Sequence, residues 1–280
     1  MKYTGIAELR KQCQSVDYGY EHYPLLFRSI RVISIYFTWI LVSTSLTPNA
    51  ITVYGILFGV FSALPFIFDY PIVAVIFAFF AIIADFSDGE VSRFKGLKSK
   101  EGSYLDKVHH LSVHPFFIAG LVIWTIGKVN YLNYLLPIGM LCVLNSILLP
   151  VVVMYAADIA VLKHLERKIT NFGIAVLENN VVEIKSRNEA SYFKLFSKKL
   201  IGHIQRWLDF PYVIMYFSGL VLIVVLLGDY VNALLLFYGL LAYSCMSSIL
   251  IVLFVWHVLN SKNIERRVSH ITLKSRSKGD

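Results

Sequence analysis

Apolar residues run almost unbroken through four stretches of this chain, 50–68, 72–91, 108–127 and 132–157, and through a longer one, 210–257. A helix rises about 1.5 Å per residue and bilayer hydrocarbon is about 30 Å thick, so ~20 apolar residues make one crossing. Lipid offers the backbone no hydrogen-bond partners, and a continuous helix supplies its own. The longest stretch is broken by Gly228, Asp229 and Asn232, a turn signature that divides it in two. Six spans are expected: 50–68, 72–91, 106–127, 133–156, 211–228 and 232–257. Composition agrees, with 57% hydrophobic residues against 16% charged and a mean hydropathy of +0.64. A soluble domain of this size is excluded, and the expected fold class is an all-α polytopic membrane protein.

The stretch 27–45 is shorter between its polar bounds, with Arg28 and Arg31 at one end and Pro48 just beyond the other. It suits an amphipathic helix lying at the membrane surface, its arginines at the headgroups. Charge favours that choice. With six spans and the N-terminus inside, 25 of the 26 Lys and Arg residues fall on the cytoplasmic side, and Lys128 alone falls outside. Making 27–45 a span would move the basic N-terminus outside, against the positive-inside bias. The expected organisation is a cytoplasmic N-terminus and surface helix over 1–46, and a six-helix domain over 47–257 with a cytoplasmic insert at 157–209. A basic tail follows at 258–280.

Other functional classes find little support. Residues 1–24 lack the basic start, apolar centre and cleavage site of a secretory signal. Cys13, Cys142 and Cys245 are far apart and form neither a zinc spacing nor a disulfide framework. The basic residues are spread over four separate segments with no nucleic-acid recognition motif, so no nucleic-acid partner is expected; attraction to anionic membrane lipid accounts for them. The insert begins as a continuing helix, and Asn179-Asn180 reads as a turn between two short extended runs.

Against this background residues 84–110, ADFSDGEVSRFKGLKSKEGSYLDKVHH, are out of place. In a helix ending near Arg93, residues three and four apart share a face, which brings Asp85, Asp88, Gly89 and Ser92 together with Arg93 at the rim. On the next helix Asp106, His110 and His114 are spaced by four, and Gly102 stands near its start. A connection of about a dozen residues favours neighbouring helices, so Asp85, Asp88 and Asp106 are expected to converge. Three carboxylates repel one another unless cations neutralise them, and ionisable groups within a bilayer mark function by default. Their hard oxygen atoms suit Mg²⁺, Mn²⁺ or Ca²⁺. Small residues and an arginine beside such ions suit a diphosphate. Singly, each acid is also explained by pairing with Arg93, Lys95 or Lys107 at the surface; the spaced set is not. His109 and His114 read as interfacial or packing histidines.

The same stretch resembles the CDP-alcohol phosphotransferase pattern D-x2-D-G-x2-A-R-x8-G-x3-D-x3-D. Here it runs Asp85-x2-Asp88-Gly89-x2-Ser92-Arg93-x8-Gly102-x3-Asp106-x3-His110, and all but two fixed positions match. The segment TPNAIT (47–52) is similar to the one preceding the first span in that family, and the surface helix and six spans fit its layout. The DGE and later GSYLD wording resembles prokaryotic members, including inositol-phosphate-type synthases. The resemblance implies an integral protein of a bacterial or archaeal inner membrane with its active site at the cytoplasmic face. It implies transfer of a phosphoalcohol group, often phosphatidyl from CDP-diacylglycerol, to an acceptor hydroxyl with release of CMP. Mg²⁺ or Mn²⁺, in a two-metal arrangement, would be held by Asp85, Asp88, Asp106 and His110. Gly89, Ser92, Arg93, Ser99 and Gly102 would meet the CDP moiety, with Pro48 and Asn49 closing over it. Members of the family are often dimers, which makes a second copy an implied partner.

Two departures bear on this reading. Ser92 replaces a small alanine and is only slightly larger. His110 replaces the last aspartate, the family's metal ligand and general base. Imidazole serves either role: it favours Mn²⁺ over Mg²⁺, and its ordinary pKa of ~6.5 suits a base near neutral pH. A substrate-orienting role and lost activity stay open. Two further readings compete, a catalytically silent relative that binds lipid or nucleotide and an ion-coupled transporter. The transporter reading calls for acids near the membrane centre on broken helices, whereas these lie at helix ends beside a basic loop. The acceptor alcohol is left open.

Overall fold

A computed structural model of the chain describes residues 5–14, 25–128, 135–152, 210–227 and 230–260. The regular elements among them are all helices: α1 Ile6–Gln14, α2 Leu25–Val42, α3 Pro48–Phe61, α4 Ala63–Ile67, α5 Pro71–Lys95 and α6 Lys100–Lys128. They are followed by α7 Leu135–Val152, α8 Phe210–Leu227 and α9 Tyr230–Asn260. Among the described residues, five stretches are long and apolar enough to cross a membrane: Pro48–Ile67, Pro71–Lys95, Lys100–Lys128, Leu135–Val152 and Leu234–Leu253. Where another span is expected, Tyr212–Leu227 of α8 is a shorter apolar stretch. The fold is thus all-α and polytopic, as its apolar runs require. The expected insert at 157–209, with its Asn179-Asn180 turn, lies outside the described residues. So does the tail beyond Asn260.

Local chemistry sets the helix ends that matter. The Thr47 hydroxyl accepts from the Ala50 N–H, and Pro48 occupies the first turn of α3, where its missing N–H costs nothing. Helix α5 stops at Gly96, whose φ of 68° is a left-handed cap that glycine adopts without strain. The Leu97 N–H then bonds back to the Ser92 carbonyl at 3.0 Å. Ser99 restarts the chain by accepting the Gly102 N–H at 2.9 Å, capping α6. The connection between the two acidic helices is therefore the four residues 96–99, not about a dozen: α5 runs two residues past Arg93 and α6 starts at Lys100. Lys95 donates to the carbonyls of Thr44 and Leu46, both at 2.9 Å, and so ties the α2–α3 connection to the end of α5.

Packing brings three helix ends to one side. Gly55 and Gly59 of α3 face His109 and Val113 of α6, and Gly120 of α6 faces Ala63. The order of these contacts makes α3 and α6 parallel, with backbones close enough that side chains would collide. Helix α5 packs antiparallel against α3, with Thr52 meeting Asp88 and Gly55 meeting Ala84, and it buries Ala74, Ala78 and Ala81. Phe66, Phe117, Leu121, Ile214 and Phe217 fill the core shared with α8. Asn145 of α7 donates to the Ser247 and Ser248 hydroxyls and the Ser244 carbonyl of α9, a polar contact suited to apolar surroundings. At the far end Asp69 accepts from Trp124 Nε1 at 2.7 Å and pairs with Lys128 Nζ at 2.9 Å.

The N-terminal segment holds an element that its polar composition hides. Helix α1 buries Leu9, Cys13 and Gln14 against α2 and α5. Helix α2 likewise turns Ile30, Ser34, Ile35 and Thr38 inward and exposes Val32, Ile33, Tyr36 and Ile40, an apolar outer face.

Candidate active site

The N-terminal ends of α3 and α6 and the C-terminal end of α5 enclose a cavity of about 570 Å³. Every residue expected at the site lines it: Pro48 and Asn49 from α3; Asp85, Asp88, Gly89, Ser92 and Arg93 from α5; Ser99, Gly102, Asp106 and His110 from the connection and α6. Two helix N-termini, each the positive end of a backbone dipole, point toward this space and favour an anion there.

At the cavity's acidic pole the His110 Nε2 lies 3.6 Å from Asp106 Oδ1 and 3.9 Å from Asp85 Oδ1. Asp85, Asp106 and His110 each offer one ligand atom, and these atoms lie within 4.8 Å of one another, a spacing that one ion can bridge. Two carboxylate oxygens with one imidazole nitrogen fit a divalent cation of the Mg²⁺–Mn²⁺ class, the nitrogen tilting the choice toward Mn²⁺. Asp85 is 12% exposed, His110 23% and Asp106 55%, so the set grades from buried to open along the cavity.

Asp88 stands apart from that trio. One helical position beyond the Asp85 turn, it accepts a hydrogen bond from the Thr52 hydroxyl of α3 while still facing the cavity. Arg93 donates through Nε to the Cys13 carbonyl at 2.7 Å, and its two terminal nitrogens lie over Gly89. A Cβ on Gly89 would stand 3.3 Å from Nη1, so glycine is what lets the guanidinium lie against the helix. Ser92 and Ser99 both make backbone bonds here, Ser92 to the Leu97 carbonyl at 2.9 Å and Ser99 to the Gly102 N–H. Asn49 reaches Gly102: a Cβ there would lie 3.0 Å from Asn49 Oδ1, which explains a glycine at the start of α6.

Sequence reasoning missed several participants. His109 is fully buried, with Nδ1 3.2 Å from Asp85 Oδ1 and its ring against Gly55. It backs the carboxylate from outside the cavity, and no spacing rule distinguishes that from packing. Thr52, Arg31, Lys98 and Ser103 also border the cavity. Thr52 sits in the TPNAIT segment, where the threonine is one turn after Pro48, and that spacing was the available signal. His114 is buried with Nε2 3.4 Å from the Tyr243 hydroxyl, away from the cavity.

These features define a polytopic helical membrane protein with an acidic cavity at one end of its bundle, suited to a divalent cation and a phosphorylated ligand. The chain belongs to the CDP-alcohol phosphatidyltransferase family, which it matches over residues 45–197. It is also similar to the bifunctional IPC transferase and DIPP synthase of Archaeoglobus fulgidus, 36% identical over 72 residues. That segment is 26% of this chain and 14% of the relative, so the similarity spans a small part of the Archaeoglobus protein.

Proposed function

We propose that the protein transfers a phosphoalcohol group from a CDP-linked alcohol, phosphatidyl from CDP-diacylglycerol foremost, to an acceptor hydroxyl, forming a phosphodiester and releasing CMP. The observation that carries this reading is the convergence of all eleven expected residues on one cavity at one end of the helix bundle. Family membership and the transferase and synthase named in the Archaeoglobus relative point to the same reaction class. The basic flanks of that end support an active site on the cytoplasmic side.

Asp85, Asp106 and His110 would hold a divalent cation, with Asp88 facing a second. Such ions neutralise charge on the diphosphate and on the departing CMP. Arg93 presents forked donors to a phosphate oxygen, while Gly89 leaves room for its guanidinium and Gly102 leaves room for Asn49. The dipoles of α3 and α6 add fixed positive potential. In the other role open to it, as a base instead of a ligand, the His110 imidazole would take the proton from the acceptor hydroxyl, with Asp106 3.6 Å from Nε2 to stabilise the imidazolium. Holding donor and acceptor together supplies much of the remaining acceleration.

The test is CMP release by the purified protein given CDP-diacylglycerol, an acceptor panel and Mg²⁺ or Mn²⁺, with mass spectrometry of the lipid product. Asp88→Asn removes a charge from the cavity and weakens the hold on Thr52; turnover is expected to fall by at least roughly 10². Equal turnover in wild type and Asp88→Asn defeats the proposal. The replacement at His110 favours one second reading, a relative that binds the donor without turning it over. Donor binding with no product under any acceptor would establish it.

A further inference from the structure

We infer that Glu90 and Gln14 form a tether through which helix α1 positions Arg93 at the cavity, making the N-terminal helix a working part of the nucleotide site. The nucleotide half of this inference rests on the donor reading above. Helix α1 precedes the segment that matches the family, residues 45–197, so family membership assigns it nothing.

Glu90 follows Gly89 on α5 but turns away from the cavity and is fully buried. A buried carboxylate is tolerated only when well hydrogen-bonded. Its Oε1 accepts from Gln14 Nε2 at 2.6 Å and from the Ser34 hydroxyl at 2.9 Å, and its Oε2 accepts from the Thr38 hydroxyl at 2.7 Å. Gln14 also donates to the Arg31 carbonyl at 2.8 Å. One side chain of α1 is thereby bonded to both α2 and α5.

One turn beyond Glu90 stands Arg93. Its Nε donates to the Cys13 carbonyl, next in sequence to Gln14, in the last turn of α1 where carbonyls lack intrahelical partners. The Cys13 side chain itself is packing: burial and then the Glu90 charge push its thiol up to about 11, so it is neutral at pH 7. An unrestrained arginine side chain carries considerable rotamer entropy. Fixing Nε from behind removes much of that freedom before a ligand arrives and leaves the terminal nitrogens over Gly89, at the cavity wall.

The full-length protein, in nanodiscs with Mn²⁺, separates this from a merely structural network through two readouts: hydrogen exchange of residues 6–14 and the Kd for CDP. Gln14→Glu sets two carboxylates against each other; exchange in α1 is expected to rise and CDP affinity to fall about tenfold, equivalent to ~1.4 kcal/mol. The swap Gln14→Glu with Glu90→Gln restores the bond between positions 14 and 90 but not the one to the Arg31 carbonyl, and should recover part of both. Gln14→Ala, which removes the donor without adding charge, is read in the same way should Gln14→Glu fail to fold. In an Arg93→Gln background the Gln14 change should cost no further CDP affinity. Unchanged exchange overturns the tether. Raised exchange with unaltered CDP affinity, or an additive loss in the Arg93→Gln background, overturns the positioning role. A wild type that does not bind CDP overturns both this inference and the donor reading, whereas CDP binding without CMP release overturns only the proposed reaction.

Discussion

Replacing Gly59 with alanine tests whether the site depends on backbone contact between α3 and α6. A Cβ built on Gly59 falls within the van der Waals envelope of both Val113 methyls and 2.6 Å from Val113 Cβ, where ordinary contacts begin at 3.4 Å. Val113 is fully buried and β-branched, so it has no free rotamer to move into. The helices must separate by roughly 1 Å, and overpacking of this kind costs about 1–3 kcal/mol. The gain in helix propensity from Gly to Ala returns about 0.5–1 kcal/mol, leaving a net loss of up to about 2.5 kcal/mol. The functional cost should be larger than the loss of stability. Helix α3 carries Asn49 and Thr52 and α6 carries Asp106 and His110, so separation pulls opposite walls of the cavity apart, and a misplacement near 1 Å costs up to roughly 10² in rate. Thermal unfolding in detergent and CMP release, measured on Gly59→Ala, Val113→Ala and the double variant, check this. Removing the Val113 methyls should relieve part of the clash, giving a favourable coupling of about 1 kcal/mol. A Gly59→Ala protein with wild-type melting and turnover, or a double variant that is merely additive, refutes the contact.

Two further outcomes concern the departure in the motif and the far end of the bundle. His110→Ala should lower turnover by roughly 10²–10⁴, the range for losing a general base, while His110→Asp should restore part of it and shift the preference from Mn²⁺ toward Mg²⁺; unchanged turnover in His110→Ala removes it from the mechanism. At Asp69, hydrogen bonds from Lys128 and then Trp124 hold the carboxyl below its usual value. A depressed folded-state pKa adds stability above the unfolded value, lost as pH falls through the folded one. Asp69→Asn should therefore melt slightly lower than wild type at pH 7, by no more than about 1 kcal/mol for so exposed a pair, and the gap should close below about pH 4. A gap that persists at pH 2 contradicts the ion pair.

Much of the site was legible because a helix repeats on itself. Asp85, Asp88, Gly89 and Ser92 lie along one helix surface whatever surrounds them, and so do Asp106 and His110. The motif's small residues read as places where a ligand approaches backbone, whereas in the structure the Arg93 guanidinium lies over Gly89 and Asn49 lies against Gly102. Helix α1 was not legible, since a nine-residue polar segment has no periodic apolar signal strong enough to distinguish it from a loop. Nor was the four-residue turn at Gly96, where the surrounding lysines made residues 94–105 look like a longer loop.

The amino-acid order by itself determined that this chain crosses a membrane as helices, because its apolar runs are unbroken over about twenty residues, where barrel strands alternate over about ten. It determined also which residues share each helix face, since that depends only on the 3.6-residue repeat. Tertiary structure alone decided which faces meet. His109 backing Asp85, Thr52 holding Asp88 and Gln14 reaching Glu90 join residues 24, 36 and 76 positions apart. Such pairings are set by how closely the Gly55–Gly59 face of α3 lets α6 approach and by where α1 docks, and neither is encoded in any local pattern of the chain.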